Sequence, residues 1–504
     1  MKEQNGQNKV DKKYALISVS DKTGVCEFAK QLTKAGYEII STGGTASFLS
    51  EQGLTIIPVE QITGFAECMD GRVKTLHPRI AGGVLGVRNN PEHIKAMDEN
   101  KMPAIDILAV NFYPFEKAPG IENIDIGGPT MVRAAAKNYK YVTVVTDPDD
   151  YNNLFENIHN EKYRYELAAK AFRHTAAYDA HIAAHLTDEI FPEKLTLTFN
   201  KHSDMRYGEN PHQEAAYYLE STRKNAELLH GKPLSYNNIA DAYAAAALVN
   251  EFACKAKPAC VAVKHATPCG AALGDTVFDA YTAAYECDPQ AIFGGIVAFN
   301  CEVDKQTAQK MNEIFLEVII ADSFTPEAME VLTQKKNLRL LDASFFCKNP
   351  MEYKSIGDGL LIQKTDANDL GQEEYNVVTE KTPSDKVKED LLFAMKVVKH
   401  VKSNAIVVAK NGRLLGQGGG EVSRIKAAEA AISRAGQLVS QPVSGAVLAS
   451  DAMIPFDDVV ELSAKAGIIA IIQPGGSKND QASIDAANKH GIAMVFTGVR
   501  HFKH

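Results

Sequence analysis

Two strand-like runs, Tyr14 to Val19 and Glu38 to Ser41, flank a stretch whose apolar residues fall at Val25, Phe28, Ala29 and Leu32. That i, i+3, i+4, i+7 spacing puts one apolar stripe on a helix, while the flanking runs have the length of buried strands. Gly36 stands where a helix C′ residue belongs. Gly43-Gly44 reads as the next turn, and Thr45 opens a second helix. Strand and helix in strict alternation imply parallel strands joined by crossovers, so the chain opens as a parallel α/β sheet. Helical patterns return from Tyr151 to His185, after the Asp- and Pro-containing run Asp147 to Asp150.

Length divides the rest. At 504 residues the chain exceeds what one hydrophobic core supports. Periodicity breaks at FPEKLTLTFNKHSD, near Ile190 to Asn200, which sets a first domain at residues 1–195. The remaining stretch of roughly 300 residues is again long for one core. The polar, glycine-containing segment Lys348 to Lys388 is the expected seam, giving domains 196–365 and 366–504. The last part resumes strand and helix: Gly467 to Ile472, the turn Pro474-Gly475-Gly476-Ser477, a helix to His490, then Ile492 to Phe496. No repeat of fixed period exists, but IISTGGT (Ile39 to Thr45) is echoed by IIQPGGS (Ile471 to Ser477). Each is a strand end, two glycines and a hydroxyl opening a helix, an arrangement that presents backbone N–H groups to an anion.

The 54 Lys+Arg against 63 Asp+Glu leave a net charge of −9, the wrong sign for a nucleic-acid binder. Small anionic substrates remain compatible, because a few cations inside a cleft suffice to hold a phosphate. Eight cysteines without a C-x-x-C pair fit reduced, mostly buried thiols rather than a disulfide framework or zinc site. The polar start MKEQNGQNKVDKK lacks the apolar run of a signal peptide, and no stretch approaches the ~18 apolar residues of a membrane span. A soluble cytoplasmic protein with neither membrane nor nucleic-acid partner is expected.

Three segments of the first domain look built for a phosphorylated ligand. Ser18-Val-Ser20-Asp21-Lys22-Thr23-Gly24 and Thr42-Gly43-Gly44-Thr45 each place hydroxyls and glycine at a strand-to-helix junction. Gly71-Arg72-Val73-Lys74-Thr75-Leu76-His77-Pro78 adds two cations two residues apart, on one side if extended. Any one of these is commonly a structural turn or cap. Their recurrence at successive carboxyl ends of strands points to a site. Further on, Asp125-Ile126-Gly127-Gly128-Pro129 precedes a helix start at Arg133-Ala-Ala-Ala-Lys137-Asn138, so that a carboxylate and a lysine bracket a tight turn. Spacing alone leaves Lys137 as readily a solvated helix lysine.

In this order and spacing, VSDKTG, STGGT, GRVKTLHP, NFYPF, DIGG and RAAAKN resemble the inosinate cyclohydrolase domain of the bifunctional purine-biosynthesis enzymes. The resemblance implies a methylglyoxal-synthase-like fold. It also implies that Ser20, Lys22, Thr42, Gly43, Gly44, Thr45, Arg72, Lys74 and Thr75 contact a nucleotide, with Ile126 among the substrate contacts. Asn111 and Tyr113 would flank the base, and Asp125 and Lys137 would act at the ring-closing centre. Closure of a weakly nucleophilic carboxamide onto a formyl carbon, with loss of water, needs positioning above all, then a cation and a proton carrier.

The second half carries its own motifs. Met205-Arg206-Tyr207-Gly208-Glu209-Asn210-Pro211-His212-Gln213 is too polar for core. In Val261-Ala-Val263-Lys264-His265-Ala-Thr267-Pro268-Cys269-Gly270 an apolar strand runs directly into Lys-His and a Pro-Cys-Gly turn. A lone histidine is ordinarily a satisfied surface residue; with Lys264 adjacent, catalysis is favoured, since base and cation crowd one another. Pro268-Cys269 suggests half of a zinc deaminase motif, but position 272 is alanine and no H-x-E lies suitably upstream, so no metal is expected. Asp288 to Gly295, Val401-Lys402-Ser403-Asn404-Ala405, Gln417-Gly418-Gly419-Gly420-Glu421-Val422-Ser423-Arg424, Ser450-Asp451-Ala452 and Val499 to His504 complete the set. The glycine run reads either as a flexible loop or, ahead of a Ser-Arg helix start, as an anion cradle.

KH-x-x-PCG, RYGENPHQ, VKSNAIV and TGVRHF-x-H resemble the aminoimidazole-carboxamide ribonucleotide (AICAR) transformylase domain of the same family, extending the match over essentially the whole chain. The resemblance implies two cytidine-deaminase-like α/β subdomains and a homodimer with transformylase sites at its interface. Lys264 and His265 would be catalytic and Asn404 would steady the tetrahedral centre. Arg206, Tyr207, Gly294, Glu317 and Arg500 would bind nucleotide, and Arg424, Ile425 and Met453 would lie towards folate. The expected activities are formyl transfer from 10-formyltetrahydrofolate to AICAR, then closure of the product to inosine monophosphate. Folate is a co-substrate, with no tightly bound cofactor. Two positions depart from the family pattern: Thr267 where K-H-A-N-P-C-G has asparagine, and Gly418-Gly419-Gly420-Glu421 in place of a G-A-G-Q segment. The rival reading is a nucleotide or folate sensor that kept the clefts and lost the chemistry. The presence of Lys264, His265, Asn404, Asp125 and Lys137 favours the enzyme.

Overall fold

The computed structural model describes residues 12–69, 71–220, 228–252, 257–343, 350–367, 375–437 and 443–504. The first 11 residues of the polar start and positions 348–349 and 368–374 of the expected seam lie outside the described residues. The chain divides near Asn200 into two compact units.

The first unit runs β1 (Lys13–Val19), α1 (Val25–Lys34), β2 (Tyr37–Ser41), α2 (Gly43–Glu51), β3 (Ile56–Pro58), α3 (Val59–Thr63), α4 (Pro78–Leu85), α5 (Pro91–Glu99), β4 (Ile105–Asn111), α6 (Gly127–Lys137), β5 (Thr143–Val145), α7 (Tyr151–Asn157) and α8 (Glu161–His185). Its five strands are all parallel, in the order β3-β2-β1-β4-β5. Val25, Phe28, Ala29 and Leu32 are the buried face of α1, and Gly36 follows its end at φ 87°. Both outcomes follow from the periodicity. Gly43 and Gly44, read as a turn, instead form the first turn of α2. The Arg133-to-Lys137 segment, read as a helix start, is the end of α6, because the chain already turns helical at Gly127 behind Asp125.

From residue 199 the elements are β6 (Phe199–Met205), β7 (Ala215–Glu220), β8 (Leu228–His230), α9 (Tyr236–Val249), β9 (Ala259–Lys264), β10 (Thr267–Leu273), α10 (Val277–Tyr285), β11 (Ile296–Phe299), β12 (Glu302–Val303), α11 (Lys305–Met311), β13 (Val318–Ala321), β14 (Ser323–Phe324), α12 (Pro326–Leu332) and β15 (Arg339–Asp342). There follow β16 (Met351–Ile356), β17 (Gly359–Lys364), β18 (Asn376–Val377), α13 (Asp385–Val398), β19 (Ile406–Lys410), β20 (Arg413–Gly418), α14 (Arg424–Ala435), β21 (Val447–Ser450), α15 (Asp458–Ala466), β22 (Ala470–Gln473), α16 (Asp480–Lys489) and β23 (Ala493–Phe496). Twelve of these strands form one mixed sheet, ordered β18-β23-β22-β21-β19-β20-β10-β9-β11-β13-β15-β8.

Strand alternation separates this sheet's two faces. Val261 and Val263 of β9, with Val407 and Ala409 of β19, face one core shared by α9 and α13. Their neighbours face two separate cores: Cys260 and Ala262 pack with α10 to α12, Ile406 and Val408 with α14 to α16. The second unit is thus two α/β halves fused through one sheet and one common helical layer. Pro268, Cys269 and Gly270, read as a turn, lie within β10; the turn is His265-Ala266, which begins three residues earlier.

Candidate functional sites

In the first sheet the winding reverses between β1 and β4, and the crevice outside the carboxyl ends of those strands is where such sheets bind ligands. Asn111, the last residue of β4, laces that crevice. Its Oδ1 accepts from the N–H groups of Ser20 (2.7 Å) and Asp21 (2.9 Å), and its Nδ2 donates to Asp21 O (3.1 Å). It shapes the loop bearing Ser20 and Lys22. Thr45, buried, donates to Val19 O (2.9 Å) and accepts from Val19 N–H (3.0 Å), while Ser18 and Thr42 share a 3.0 Å hydroxyl contact. These bonds seat the N-terminus of α2 against the end of β1. Thr42 caps α2 without a side-chain bond, leaving first-turn N–H groups for a ligand.

Loop 71–77 supplies the cation. A Cβ on Gly43 (φ 43°) would lie 3.3 Å from Lys74 Nζ, so glycine lets the ammonium approach this helix end. Lys74 also pairs with Glu67 at 3.1 Å. A Cβ on Gly127, the first residue of α6, would lie 2.7 Å from Thr75 Oγ1, so the same loop reaches a second helix N-terminus. The segment turns rather than running extended, and Arg72 pairs with the exposed Glu122 at 2.5 Å, a different partner from that of Lys74.

Asp125 sits at the start of α6. Its Oδ1 accepts from Gly128 N–H at 2.8 Å, and its own N–H donates to Tyr178 Oη at 2.7 Å; Tyr178 in turn donates to Asn123 O at 3.1 Å. Burial raises the Asp125 carboxyl above its ordinary value, against the pull of the Gly128 and Gly127 N–H groups. Tyr113 and Ile126 present exposed apolar surface nearby in sequence. Lys137 is not brought to Asp125: it is the last, exposed residue of α6, whose 11 residues span about 16 Å.

In the large sheet, β9, β20, β21, β22 and β23 end on the side where β10, β11, β13 and β19 begin. Glu317, Gly294, Lys264, His265, Asn404, Met453 and Arg500 all follow or precede strands at that one side. They do not form one cluster. The tail after β23 folds back so that His501 N–H donates to Asp451 O at 2.9 Å, which leaves Arg500 beside the end of β21. The path β13-β11-β9-β10-β20-β19-β21 makes six steps of about 4.8 Å, so Glu317 and Arg500 lie roughly 29 Å apart along the sheet. Arg206 and Tyr207 follow β6, outside this sheet; Arg206 donates to Tyr207 Oη at 2.9 Å and lies 4.7 Å over its ring.

At the centre, Lys264 and Thr267 pair across a two-residue turn in which His265 and Ala266 both have φ 53°. Lys264 Nζ donates to Phe293 O at 2.9 Å, and His265 is exposed. Asp241 of α9 takes both turn amides, from His265 N–H at 3.1 Å and Ala266 N–H at 2.7 Å. Lys264, His265, Thr267, Asp288, Gln417 and Arg434 help line a cavity of about 260 Å³. Burial pushes the Cys269 thiol on its wall up to about 12, so that thiol is neutral. Among the described residues no three His, Cys, Asp or Glu side chains group as metal ligands, and all six described cysteines are free.

Three strands away, Arg424 opens α14 and donates to Asn404 Oδ1 (2.9 Å), to Ala405 O (3.1 Å) and to the fully buried carboxylate of Asp451. Asp451 also accepts from Ser403 Oγ at 2.5 Å. The guanidinium is therefore engaged within the chain and orients Asn404, whose Nδ2 donates one hydrogen to Glu421 O at 2.8 Å. Glu317 is likewise engaged, with Arg339 at 2.7 Å. Ile425 is half-buried against the α14 core, whereas Met453, Phe456 and Val422 stand exposed, Val422 to 96%. Arg500 lies 4.5 Å over the Phe502 ring. The glycine run is neither flexible loop nor cradle at its first member: a Cβ on Gly418 would come within 2.1 Å of Ala427 O, so glycine there lets α14 pack on β20. In the second Gly-Gly motif, Asp480 Oδ2 accepts from Gly476 N–H (2.7 Å) and Ser477 N–H (3.1 Å), filling the nest from within.

Asp241, Tyr178 and Arg434 escaped the sequence reading, because only the tertiary fold brings them to motif residues; Asp451 stood in a quoted motif without a role. A parallel sheet with helix N-termini at its switch point, followed by a mixed sheet with Lys-His on its central turn, defines a two-activity enzyme of the nucleotide-handling class. The AICARFT/IMPCHase bienzyme family matches residues 135–434 and the MGS-like domain family residues 24–130. Two relatives named bifunctional purine biosynthesis protein PurH, from Thermoanaerobacter sp. (strain X514) and Bacillus cereus (strain 03BB102), are each 53% identical over 98% of this chain and 100% of their own length. A third, from Oceanobacillus iheyensis, is 52% identical with the same coverage. A solved structure described as ForH is 33% identical over 35% of this chain and 100% of its own, at a TM-score of 0.33, too low to bear on the fold. The chain belongs to the AICARFT/IMPCHase bienzyme family, with an MGS-like first domain: it is a bifunctional enzyme of purine biosynthesis, an AICAR formyltransferase and IMP cyclohydrolase.

Proposed function

We propose that formyl transfer occurs at the Lys264–His265 turn of the second unit and ring closure at the switch point of the first. The 5-amino nitrogen of AICAR attacks the formyl carbon of 10-formyltetrahydrofolate. The His265 imidazole takes the proton from that nitrogen, and the Lys264 ammonium, with two N–H donors beyond its bond to Phe293 O, faces the oxyanion. Collapse expels the folate nitrogen, which takes the proton held by His265 and leaves as tetrahydrofolate. Asn404, held by Arg424, keeps one amide hydrogen for the tetrahedral centre. Folate acts as co-substrate, and neither metal nor tightly held cofactor enters the scheme.

In the first unit, Lys74, Thr75 and the α2 N-terminus hold the phosphate, while Tyr113 and Ile126 cover the base. Asp125 supplies or relays the proton during dehydration, a task suited to a carboxyl raised by burial. Lys137 enters that centre only from a second copy, since α6 separates the two residues. A homodimer also offers a way to unite residues that one chain spreads along its sheet edge. The enzyme works in the cytoplasm; no helix among the described residues is long and apolar enough to cross a membrane.

The observation that most supports this reading is the exposed His265 beside Lys264 on a pinned turn, at a cavity of about 260 Å³. Incubation with AICAR and 10-formyltetrahydrofolate tests it. Folate release and inosinate should appear in equal amounts, the first leading the second; folate release without inosinate would contradict the cyclisation half.

A further inference from the structure

The turn carrying His265 is unusual in its sequence. Two-residue hairpin turns with φ positive at both positions favour Asn-Gly, because a Cβ crowds the backbone in the left-handed region. Here the positions are His265 and Ala266, each at φ 53°. Such a conformation persists only where the surroundings hold it. Besides the Thr267 hydroxyl, which donates to His265 O at 3.2 Å, one carboxylate holds it. Asp241 Oδ2 accepts from His265 N–H at 3.1 Å and Oδ1 from Ala266 N–H at 2.7 Å, a bidentate grip on both turn amides. Asp241 lies in α9, whose buried Ala242, Ala245 and Leu248 pack into the core beneath the sheet. The grip is therefore anchored to a rigid element, and the strand pair Lys264–Thr267 fixes the other side of the turn.

We propose that Asp241 is a positioning residue for formyl transfer: by clamping the His265–Ala266 amides it fixes the direction in which the imidazole is presented. The inference rests on the reading of His265 as proton acceptor. A base must lie within hydrogen-bond reach of its proton, and a displacement of about 1 Å can cost about 100-fold in rate. Loss of the clamp releases the strained pair towards ordinary φ and swings His265 away, while cyclisation in the first unit is untouched.

Asp241→Ala should lower kcat for formyl transfer by roughly 10- to 100-fold, with KM for AICAR changed less than about threefold. Asp241→Asn keeps one oxygen acceptor and should fall between. Adding Ala266→Gly to Asp241→Ala removes the side chain that opposes positive φ and should restore part of kcat, a recovery that a merely structural role for Asp241 does not predict. Closure of pre-formed formyl nucleotide should be unchanged in all three. Should Asp241→Ala fail to fold, Asp241→Asn and Asp241→Asn/Ala266→Gly decide by the same kcat comparison. Unaltered kcat in Asp241→Asn and Asp241→Ala, or a loss that Ala266→Gly leaves wholly unrepaired, would overturn the proposal. His265→Ala run in parallel separates the two claims: if it still transfers formyl groups, the reading of His265 fails, whatever Asp241 does.

Discussion

Lys74 and Asp125 stand in the same unit but do different physical work. Lys74 brings a full positive charge to the N-terminus of α2, a contact suited to a phosphate that is as charged in the bound substrate as in the transition state. Such binding energy is uniform along the reaction and appears mainly in KM. Asp125, raised by burial and aimed by Gly128 and Tyr178, is suited to moving a proton as water leaves. Lys74→Ala should therefore raise KM for the formyl nucleotide about tenfold or more, with kcat within about threefold. Asp125→Asn should cut kcat at least about 100-fold and let formylated intermediate accumulate. Equal losses of kcat in both variants, measured on pre-formed formyl nucleotide, would contradict this division. Residue identities were readable from the chain, but their commitments were not. Arg424 looks like a free cation in the sequence; only folding reveals Asp451 buried against it. Asp241 looks like any polar residue in a helix until the turn is laid over it.

At the scale of elements, periodicity was informative and end chemistry less so. The stripe Val25, Phe28, Ala29, Leu32 and the strands on either side are local consequences of side-chain spacing. Where α6 begins is decided by Asp125 capping Gly128, so a helix-forming run such as Arg133 to Lys137 marks its end. The close of α13 shows another tertiary device. Glu251 lies 3.0 Å from both Lys399 Nζ and His400 Nε2, just ahead of the Ser403–Asn404 segment. Burial alone would raise this carboxyl, but the His400 hydrogen bond and the Lys399 charge outweigh it and hold it at about 2 against an ordinary 4.5. A depressed carboxylate contributes stability above its unfolded pKa, lost as pH falls through the folded one. The difference in melting temperature between wild type and Glu251→Gln should thus be largest near neutrality and shrink from pH 4.5 towards 2. A difference constant over that window would show that the ion pair contributes nothing.

At the scale of the molecule, the sequence divided the second half into two stretches, and the structure fuses them through one sheet with a shared helical core. No local pattern announces that β10 will pair with β20, because the partners lie about 140 positions apart and register is set by packing. The fusion spreads the expected transformylase residues along a single edge. If a neighbouring copy completes the site, dilution below the dimer dissociation constant should abolish formyl transfer in step with the monomer fraction seen by sedimentation. Mixed dimers of Lys264→Ala and Arg424→Ala chains should regain activity if the two residues serve one site from different chains. A fully active monomer would remove the need for a second copy.

The central claim is that two chemistries run at two sites, one in each compact unit. It is tested most directly by giving purified His265→Ala first AICAR with 10-formyltetrahydrofolate, then pre-formed formyl nucleotide, and following folate release and inosinate. No folate release is expected in the first mixture, and closure at the wild-type rate in the second. Loss of both activities in a variant with wild-type melting behaviour, or formyl transfer that persists without His265, would contradict it.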